Sequence, residues 1–314
     1  MTEAPEAPDG PLWAVVGPTA SGKSALALAL AEQVGAELVC LDSAQVFCGL
    51  DVGTAKPTAA EQARVPHHLI DVLQPDEQWS AADYARAADQ AIAAIRGRGR
   101  VPLFVGGTGL WLRALTRGIF EAPPIDPALR EAIRDELRAR GPEALHRELA
   151  AVDPVAAARI HPTDPQRIGR ALEVHRQAGI PISELQAAHG FRAVRHRLVA
   201  VALDVDRAVL AERIAARARA MYAGGLLEET EACLARGISR EAPGLKTIGY
   251  RDAVRHLAGE LDRAAAEEAT IAATRQYAKR QRNWFRHEPD VSWIPADTSV
   301  AAALALLRQR SSSV

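Results

Sequence analysis

The eight residues GPTASGKS, 17 to 24, constrain the chain more than any other stretch. They fit G-x-x-x-x-G-K-[ST], a loop whose backbone N–H groups wrap around phosphates. The motif needs a strand before it and a helix after it. PLWAVV (11–16) supplies a short apolar strand, and ALALALAEQVG (25–35) supplies a helix former closed by Gly35. Gly17 and Gly22 let the chain turn so that its amides converge. The helix beyond adds its positive N-terminal end. Lys23 would neutralise phosphate charge, and Ser24 or Thr19 could hold magnesium or a phosphate oxygen. Such a loop recognises two linked phosphates but not what carries them. Nucleoside triphosphates and isoprenoid diphosphates both qualify.

The rest of the pattern is α/β. AELVCLD (36–42) reads as a second strand ending in Asp42, WSAADYARAADQAIAAIRGRGR (79–100) as an amphipathic helix, and VPLFVGG (101–107) as a buried strand stopping at paired glycines. Alternating strands and helices imply a parallel sheet covered on both faces. The alternation breaks at EAPPIDP (121–127), a proline-rich hinge, and about 128 to 190 reads as helical throughout. Asp164 followed by Pro165 is a helix start. RLVAVALDV (197–205) restores a strand, helices follow near 206–236 and 264–287, and VSWIP is a late strand. The expected fold is therefore α/β, with a phosphate-loop, NTPase-like parallel sheet core and an inserted all-helical domain. The expected boundaries are a disordered lead over 1–10, a catalytic core over 11–120 and 195–314, and the helical insertion over 121–194.

Bulk properties exclude several classes. The chain has 314 residues and a net charge of −1, so nucleic-acid binding must come from local basic patches. No apolar run reaches the roughly 18 residues of a membrane span. The start, MTEAPEAPDGP, has no basic region leading into an apolar one, so no secretory signal is expected. Three cysteines, Cys40, Cys48 and Cys233, without CxxC spacing, fit a reducing cytoplasm. Only four of the 38 basic residues are lysine (Lys23, Lys56, Lys246 and Lys279), which makes each retained lysine worth scrutiny.

Asp42 ends a strand on the side of the sheet where open α/β folds bind ligands, and is a candidate magnesium ligand or general base. DSAQVF and DVGTAKP, with Lys56, follow at once. GGTG (106–109) ends another strand on the same side, and there Thr108 presents a hydroxyl. Gln166, Arg167 and Arg170 cluster at a helix start. Arg275, Lys279, Arg282 and Arg286 fall on one face of the last long helix, beside Tyr277 and Trp284. That stripe suits a nucleic-acid backbone or an ordinary solvated face equally. The base-reading motif of GTPases and an apolar strand ending in Asp-Glu are both missing, which separates the loop from nucleotide hydrolysis.

Taken in order, GPTASGKS, LDSAQVF, GLDVGTAKP, PHHLIDV, WSAADYARAA, GGTGLWLRAL, DPQRIGRALEV, KTIGYRD and TRQYAKRQRNWFR resemble the tRNA dimethylallyltransferases, the bacterial tRNA isopentenyltransferase family, from about residue 12 to 295. The resemblance implies transfer of the dimethylallyl group of dimethylallyl diphosphate to the exocyclic amino nitrogen of the adenine 3′ of the anticodon, in tRNAs reading codons that begin with U. Diphosphate leaves. It implies that the loop residues Gly17, Pro18, Thr19, Ala20, Ser21, Gly22, Lys23 and Ser24, with Arg217, hold the diphosphate, and that Mg2+ is bound, with Ser24 as its ligand. Asp42 would accept the amino proton, and Thr108 would help align the reaction. Asp42, Ser43, Ala44 and Gln45 would read the extruded base. Gln166, Arg167, Ile168, Gly169 and Arg170 would contact the tRNA, as would Thr108, Arg130 and the KTIGYRD segment with Lys246. The expected state is a cytoplasmic monomer bound to no membrane. Phe47 and Trp111 stand where the family commonly has tyrosine, and Asn283 where it has threonine. No zinc-finger extension like that of eukaryotic relatives is expected. Three other readings stay open: a small-molecule or nucleoside kinase using ATP, an adenylate isopentenyltransferase, which QRIGR argues against, and a non-catalytic RNA-binding module.

Overall fold

The structure, a computed structural model, describes residues 10–119, 125–189 and 194–312. The expected disordered lead, apart from Gly10, and the first part of the EAPPIDP hinge lie outside the described residues. The chain forms two compact units, Arg117–Val194 and the remainder.

The larger unit opens with β1 (Leu12–Val16), α1 (Lys23–Val34), β2 (Glu37–Leu41), α2 (Ala59–Arg64), β3 (His67–His68), α3 (Ala81–Gly97), β4 (Pro102–Gly106) and α4 (Gly109–Arg117). The helical unit carries α5 (Pro127–Arg140), α6 (Pro142–Val152), α7 (Pro154–Ala157), α8 (Pro165–Ala178) and α9 (Ile182–His189). The larger unit resumes with β5 (Leu198–Asp204), α10 (Arg207–Ala223), α11 (Leu226–Ala235), α12 (Tyr250–Leu257), α13 (Arg263–Arg286), β6 (Val291–Pro295) and α14 (Val300–Ser312).

All six strands pair in parallel, in the order β3-β2-β4-β1-β5-β6. β1, β2 and nearly all of β5 are buried along their length, which is why they read as continuous apolar runs. Parallel pairing brings every strand's C-terminal end to one edge. The turns at Gly17, Asp42 and Gly107 therefore lie together, although 25 and 65 residues separate the second from the other two. β4 sits between β1 and β2, and this insertion brings the glycine turn between the phosphate loop and Asp42. A Cβ on Gly106 would lie 2.1 Å from the Leu41 carbonyl oxygen, so the close approach of β4 to the end of β2 requires glycine there.

The core of the larger unit joins Trp13, Val15, Leu38, Leu103 and Val201 from the sheet to Leu26 and Leu30 of α1 and Leu304 and Leu307 of α14. The expected single helical stretch over 206–236 divides at Gly224–Gly225, with Gly225 at φ 105°, into α10 and α11. The helical unit packs Ile133, Leu145, Leu149, Ile168 and Leu172 into its own core. Arg176 of α8 ties α5 to α6, meeting Glu136 at 2.7 Å and Glu148 at 2.6 Å. The buried Asp153 caps α7 through Ala156 N–H and accepts Ser183 N–H at the start of α9.

Candidate active site

The phosphate loop leaves β1 at Gly17 (φ 125°), passes Ala20 in the left-handed region (φ 63°) and enters α1 through Gly22 (φ 98°). An alanine held at positive φ is strained, and the surrounding turn must fix it. Lys23 is 8% exposed, and its ammonium contacts the Pro18 carbonyl at 3.3 Å. Burial pulls its pKa down to about 8; the charge of Asp42 works against that fall, and Arg217 adds to it. Arg217, on α10, is likewise lowered by burial and supported by Asp42. A buried and a half-buried cation facing one carboxylate make a region of positive potential that an anionic ligand would relieve. Ser21 points the same way. It is 2% exposed, and its hydroxyl has no hydrogen-bond partner among the described residues. An orphaned buried hydroxyl in a phosphate loop fits a ligand oxygen.

Opposite the loop, Leu38, Cys40 and Asp42 alternate onto one face at β2. With Val105 and Gly106 of β4, Gln45, Thr54, Pro57, His67 and Ile70, they line a cavity of about 60 Å³ that Thr19, Lys23, Ser24 and Arg217 close on the other side. Asp42 Oδ1 accepts the Ala44 N–H at 2.9 Å, which fixes the turn. Thr108 Oγ1 accepts the Ser43 N–H at 3.0 Å, and the amides of Gly107 and Thr108 both donate to the Leu41 carbonyl. The ends of β2 and β4 are thus stitched together. Gln45 donates to the carbonyls of Thr54 and Ala55, each at 3.2 Å, so its amide holds the 54–55 turn. Burial pushes the Cys40 thiol well above its ordinary range, leaving it inert.

α13 contributes two residues that inspection of the sequence alone did not single out for the site. Gln281 bridges the Thr19 N–H and the Gly107 carbonyl. One turn earlier, the Tyr277 phenol is pushed up, first by burial and then by the charge of Asp42, while hydrogen bonding to Thr108 and Gln281 works the other way. Both residues belong to the quoted TRQYAKRQ stretch, and only their long-range partners reveal their place. The basic stripe on this helix divides. Arg282 donates to the Val205 carbonyl at 2.8 Å and pairs with Asp204 at 2.5 Å, Arg286 lies over the Trp293 ring, and Arg275 and Lys279 are exposed.

Lys56 is inward, with its side chain 3% exposed. Its ammonium meets the Phe47 carbonyl at 2.5 Å, Asp51 at 2.6 Å and Asp71. It staples the loop rather than facing the cavity. Glu229 accepts the N–H groups of Asp51 and Val52 and the Tyr250 hydroxyl, which in turn accepts the Gly53 N–H. Tyr250 and Asp252 are fully buried. The KTIGYRD segment, expected to touch RNA, thus spends Tyr250 and Asp252 on the loop and core, leaving Lys246, paired with Glu241 at 2.8 Å, and Arg251 at the surface.

In the helical unit, Asp164 caps α8 through the Arg167 N–H at 3.0 Å. Gln166 and Arg167 are exposed. Arg130 and Arg170 share Glu173, at 3.7 and 3.2 Å. Ile168 and Gly169, expected to contact RNA, are buried instead, because α8 needs an apolar face against α5; a Cβ on Gly169 would sit 3.2 Å from Leu137. No group of three or more His, Cys, Asp or Glu side chains that could hold a metal occurs among the described residues. No helix among them is long and apolar enough to cross a membrane.

Comparison with known proteins then gives the family. Residues 45–288 match the family model described as IPP transferase, and residues 10–72 match isopentenyl transferase. The chain belongs to the IPP transferase family. It is 52% identical over 291 residues to the tRNA dimethylallyltransferase of Anaeromyxobacter dehalogenans strain 2CP-1, covering 93% of this chain and 95% of the relative. It is 49% identical over 294 residues to that of Halorhodospira halophila, with the same shares covered. Among solved structures, the tRNA isopentenylpyrophosphate transferase of Bacillus halodurans superposes with a TM-score of 0.70 at 35% identity, over 97% of this chain and 99% of that one. A eukaryotic dimethylallyltransferase acting on tRNA superposes with a TM-score of 0.75 at 25% identity, over 95% and 77%. The phosphate-loop fold is shared with these relatives.

Proposed function

We propose that this family member transfers the dimethylallyl group of dimethylallyl diphosphate to the exocyclic amino nitrogen of the adenine 3′ of the anticodon, in tRNAs reading U-starting codons. The carrying observation is the cavity that sets Lys23 and Arg217 against Asp42, at a phosphate loop whose Ser21 hydroxyl is buried without a partner among the described residues. Cations on one side suit a departing diphosphate, and a carboxylate on the other suits an amine that must lose a proton.

In the reaction the allylic C–O bond breaks and an N–C bond forms. Negative charge grows on the diphosphate, where Lys23, Arg217 and the free backbone N–H groups of the phosphate loop stabilise it. Asp42 takes the proton from the attacking nitrogen. Thr108, anchored to the Ser43 amide, holds the Asp42 turn against the end of β4. The adenine must leave its stack to enter. The hydroxyl of Ser24 beside the cavity, with no carboxylate cluster near it, suits Mg2+, which keeps several waters and takes its remaining oxygens from phosphate. When bound, that ion supplies further charge neutralisation to the leaving group. Gln166, Arg167, Arg170 and Arg130 on the helical unit and Lys246 on the larger one serve as contacts to the tRNA backbone. Three free cysteines suit a reducing cytoplasm, where the enzyme would act as a monomer.

The test is incubation of unmodified tRNA with labelled dimethylallyl diphosphate, with and without ATP, followed by nucleoside mass analysis. Label on adenosine in both arms is expected. Phosphate transfer from ATP with an unlabelled tRNA would establish the kinase reading instead.

A further inference from the structure

Two loops must hold still relative to each other for such a transfer, and the sheet does not hold them. β1 and β4 pair only as far as Val16 and Gly106, so the phosphate loop and the glycine turn both emerge beyond the last ladder position. One side chain spans the gap. Gln281, on α13, is 4% exposed. Its Oε1 accepts the Thr19 N–H at 2.8 Å and its Nε2 donates to the Gly107 carbonyl at 3.1 Å. Both ends of the carboxamide are used, each with the polarity only that end can supply. A Cβ on Gly107 would lie 1.9 Å from the Gln281 Nε2, so the glycine makes room for the amide.

We propose that Gln281 is a positioning residue for the transfer, locking the phosphate loop to the turn that carries Thr108. This role rests on the prenyl-transfer reading. The chain of contacts runs from the loop through Gln281 to Gly107, then from Thr108 through the Ser43 amide to the Asp42 turn. Tyr277, one turn earlier on α13, lies beside Thr108 and Gln281. The diphosphate side and the carboxylate side of the reaction are therefore registered by one carboxamide. Its loss would leave each substrate's own contacts intact but let the two drift. A misplacement of about 1 Å between reacting groups costs on the order of 10²-fold in rate.

The experiment compares the wild type with Gln281→Met, Gln281→Glu and Gly107→Ala, using dimethylallyl diphosphate and unmodified tRNA. Gln281→Met keeps length and volume but removes both hydrogen bonds. It is expected to lower kcat by roughly 10- to 100-fold with KM for either substrate little changed. Gln281→Glu adds a readout that packing alone would not move. As a carboxylate it can accept from Thr19 but repels the Gly107 carbonyl; once protonated it donates again. Burial raises a carboxyl pKa, so the ratio of variant to wild-type kcat should climb as pH falls from about 8 towards 6. Gly107→Ala, which displaces the amide while keeping Gln281, should reproduce the kcat loss. An active wild type beside a Gln281→Met variant of equal kcat, or a pH-independent Glu ratio, overturns the role. Unfolding of all three variants, or parallel loss of kcat and both affinities, assigns Gln281 to stability alone and also overturns it. A wild type that transfers nothing overturns the functional reading and this role with it.

Discussion

Replacing Lys23 by methionine should make the protein more stable and abolish transfer. The ammonium is buried, and its ordinary pKa of 10.5 falls to about 8, chiefly through burial. That gap corresponds to about 3 kcal/mol at 1.36 kcal/mol per pH unit, carried as a penalty by the charged form. The sign follows from proton counting. Between pH 8 and 10.5 the unfolded chain binds more protons at this lysine than the folded one, so the group's contribution to stability rises with pH. Below pH 8 both states are protonated and the full penalty stands. Methionine keeps the apolar stem and drops the charge, so about 1–3 kcal/mol of stabilisation is expected at pH 7. For a unit of 150–250 residues this is a rise of about 2–4 °C in Tm per kcal/mol. Calorimetry of both proteins in phosphate-free buffer, at intervals from pH 7 to 10, provides the measurement. The advantage of Lys23→Met should be constant up to about pH 8 and shrink beyond it. A variant less stable than the wild type at pH 7, or an advantage that does not shrink, would refute the account of Lys23 as a charge held in place for a ligand.

Three further outcomes can be checked. Asp42→Asn should slow single-turnover prenyl transfer by about 10² or more, the scale of lost general-base catalysis, while filter binding to tRNA stays near normal; an unimpaired rate removes Asp42 as the base. Arg167→Ala should weaken tRNA binding and reduce its salt slope by about one, with the affinity for dimethylallyl diphosphate unaltered. Glu229→Gln should cost about 1–3 kcal/mol in urea unfolding, because a neutral amide cannot serve the Asp51 and Val52 amides and the Tyr250 hydroxyl as well as the carboxylate does; an unchanged midpoint would mean the loop is held elsewhere.

The local parts of the site were legible because they are local. The loop 17–24, the carboxylate ending β2 and the glycines ending β4 each announce themselves through strand, turn and helix chemistry within a dozen residues. The pairing order was not legible, since nothing in the residues of β4 says that it enters between β1 and β2. Gln281 escaped for the same reason: its partners lie 262 and 174 residues away. The basic stripe of α13 read as one surface because helical spacing cannot tell that Arg282 turns inward to the end of β5 while Lys279 does not. In α8, the run QRIGR mixes two faces, and burial alone separates Arg167 from Ile168. Of the four lysines, Lys23 lines the cavity, Lys56 serves architecture, and Lys246 and Lys279 lie at the surface.

Lys56 also shows what lysine can do that arginine cannot, in a chain that otherwise favours arginine. Three oxygens converge on its ammonium, from Phe47, Asp51 and Asp71. A small tetrahedral head can donate to acceptors in three directions, whereas a flat guanidinium presents its hydrogens in a single plane and needs more width. Arginine at 56 would have to push one of these partners away, loosening the segment that carries Thr54 and Ile70 to the cavity wall. At position 56, then, lysine stands where a compact head is sterically required, whereas Lys246 and Lys279 stand in the open.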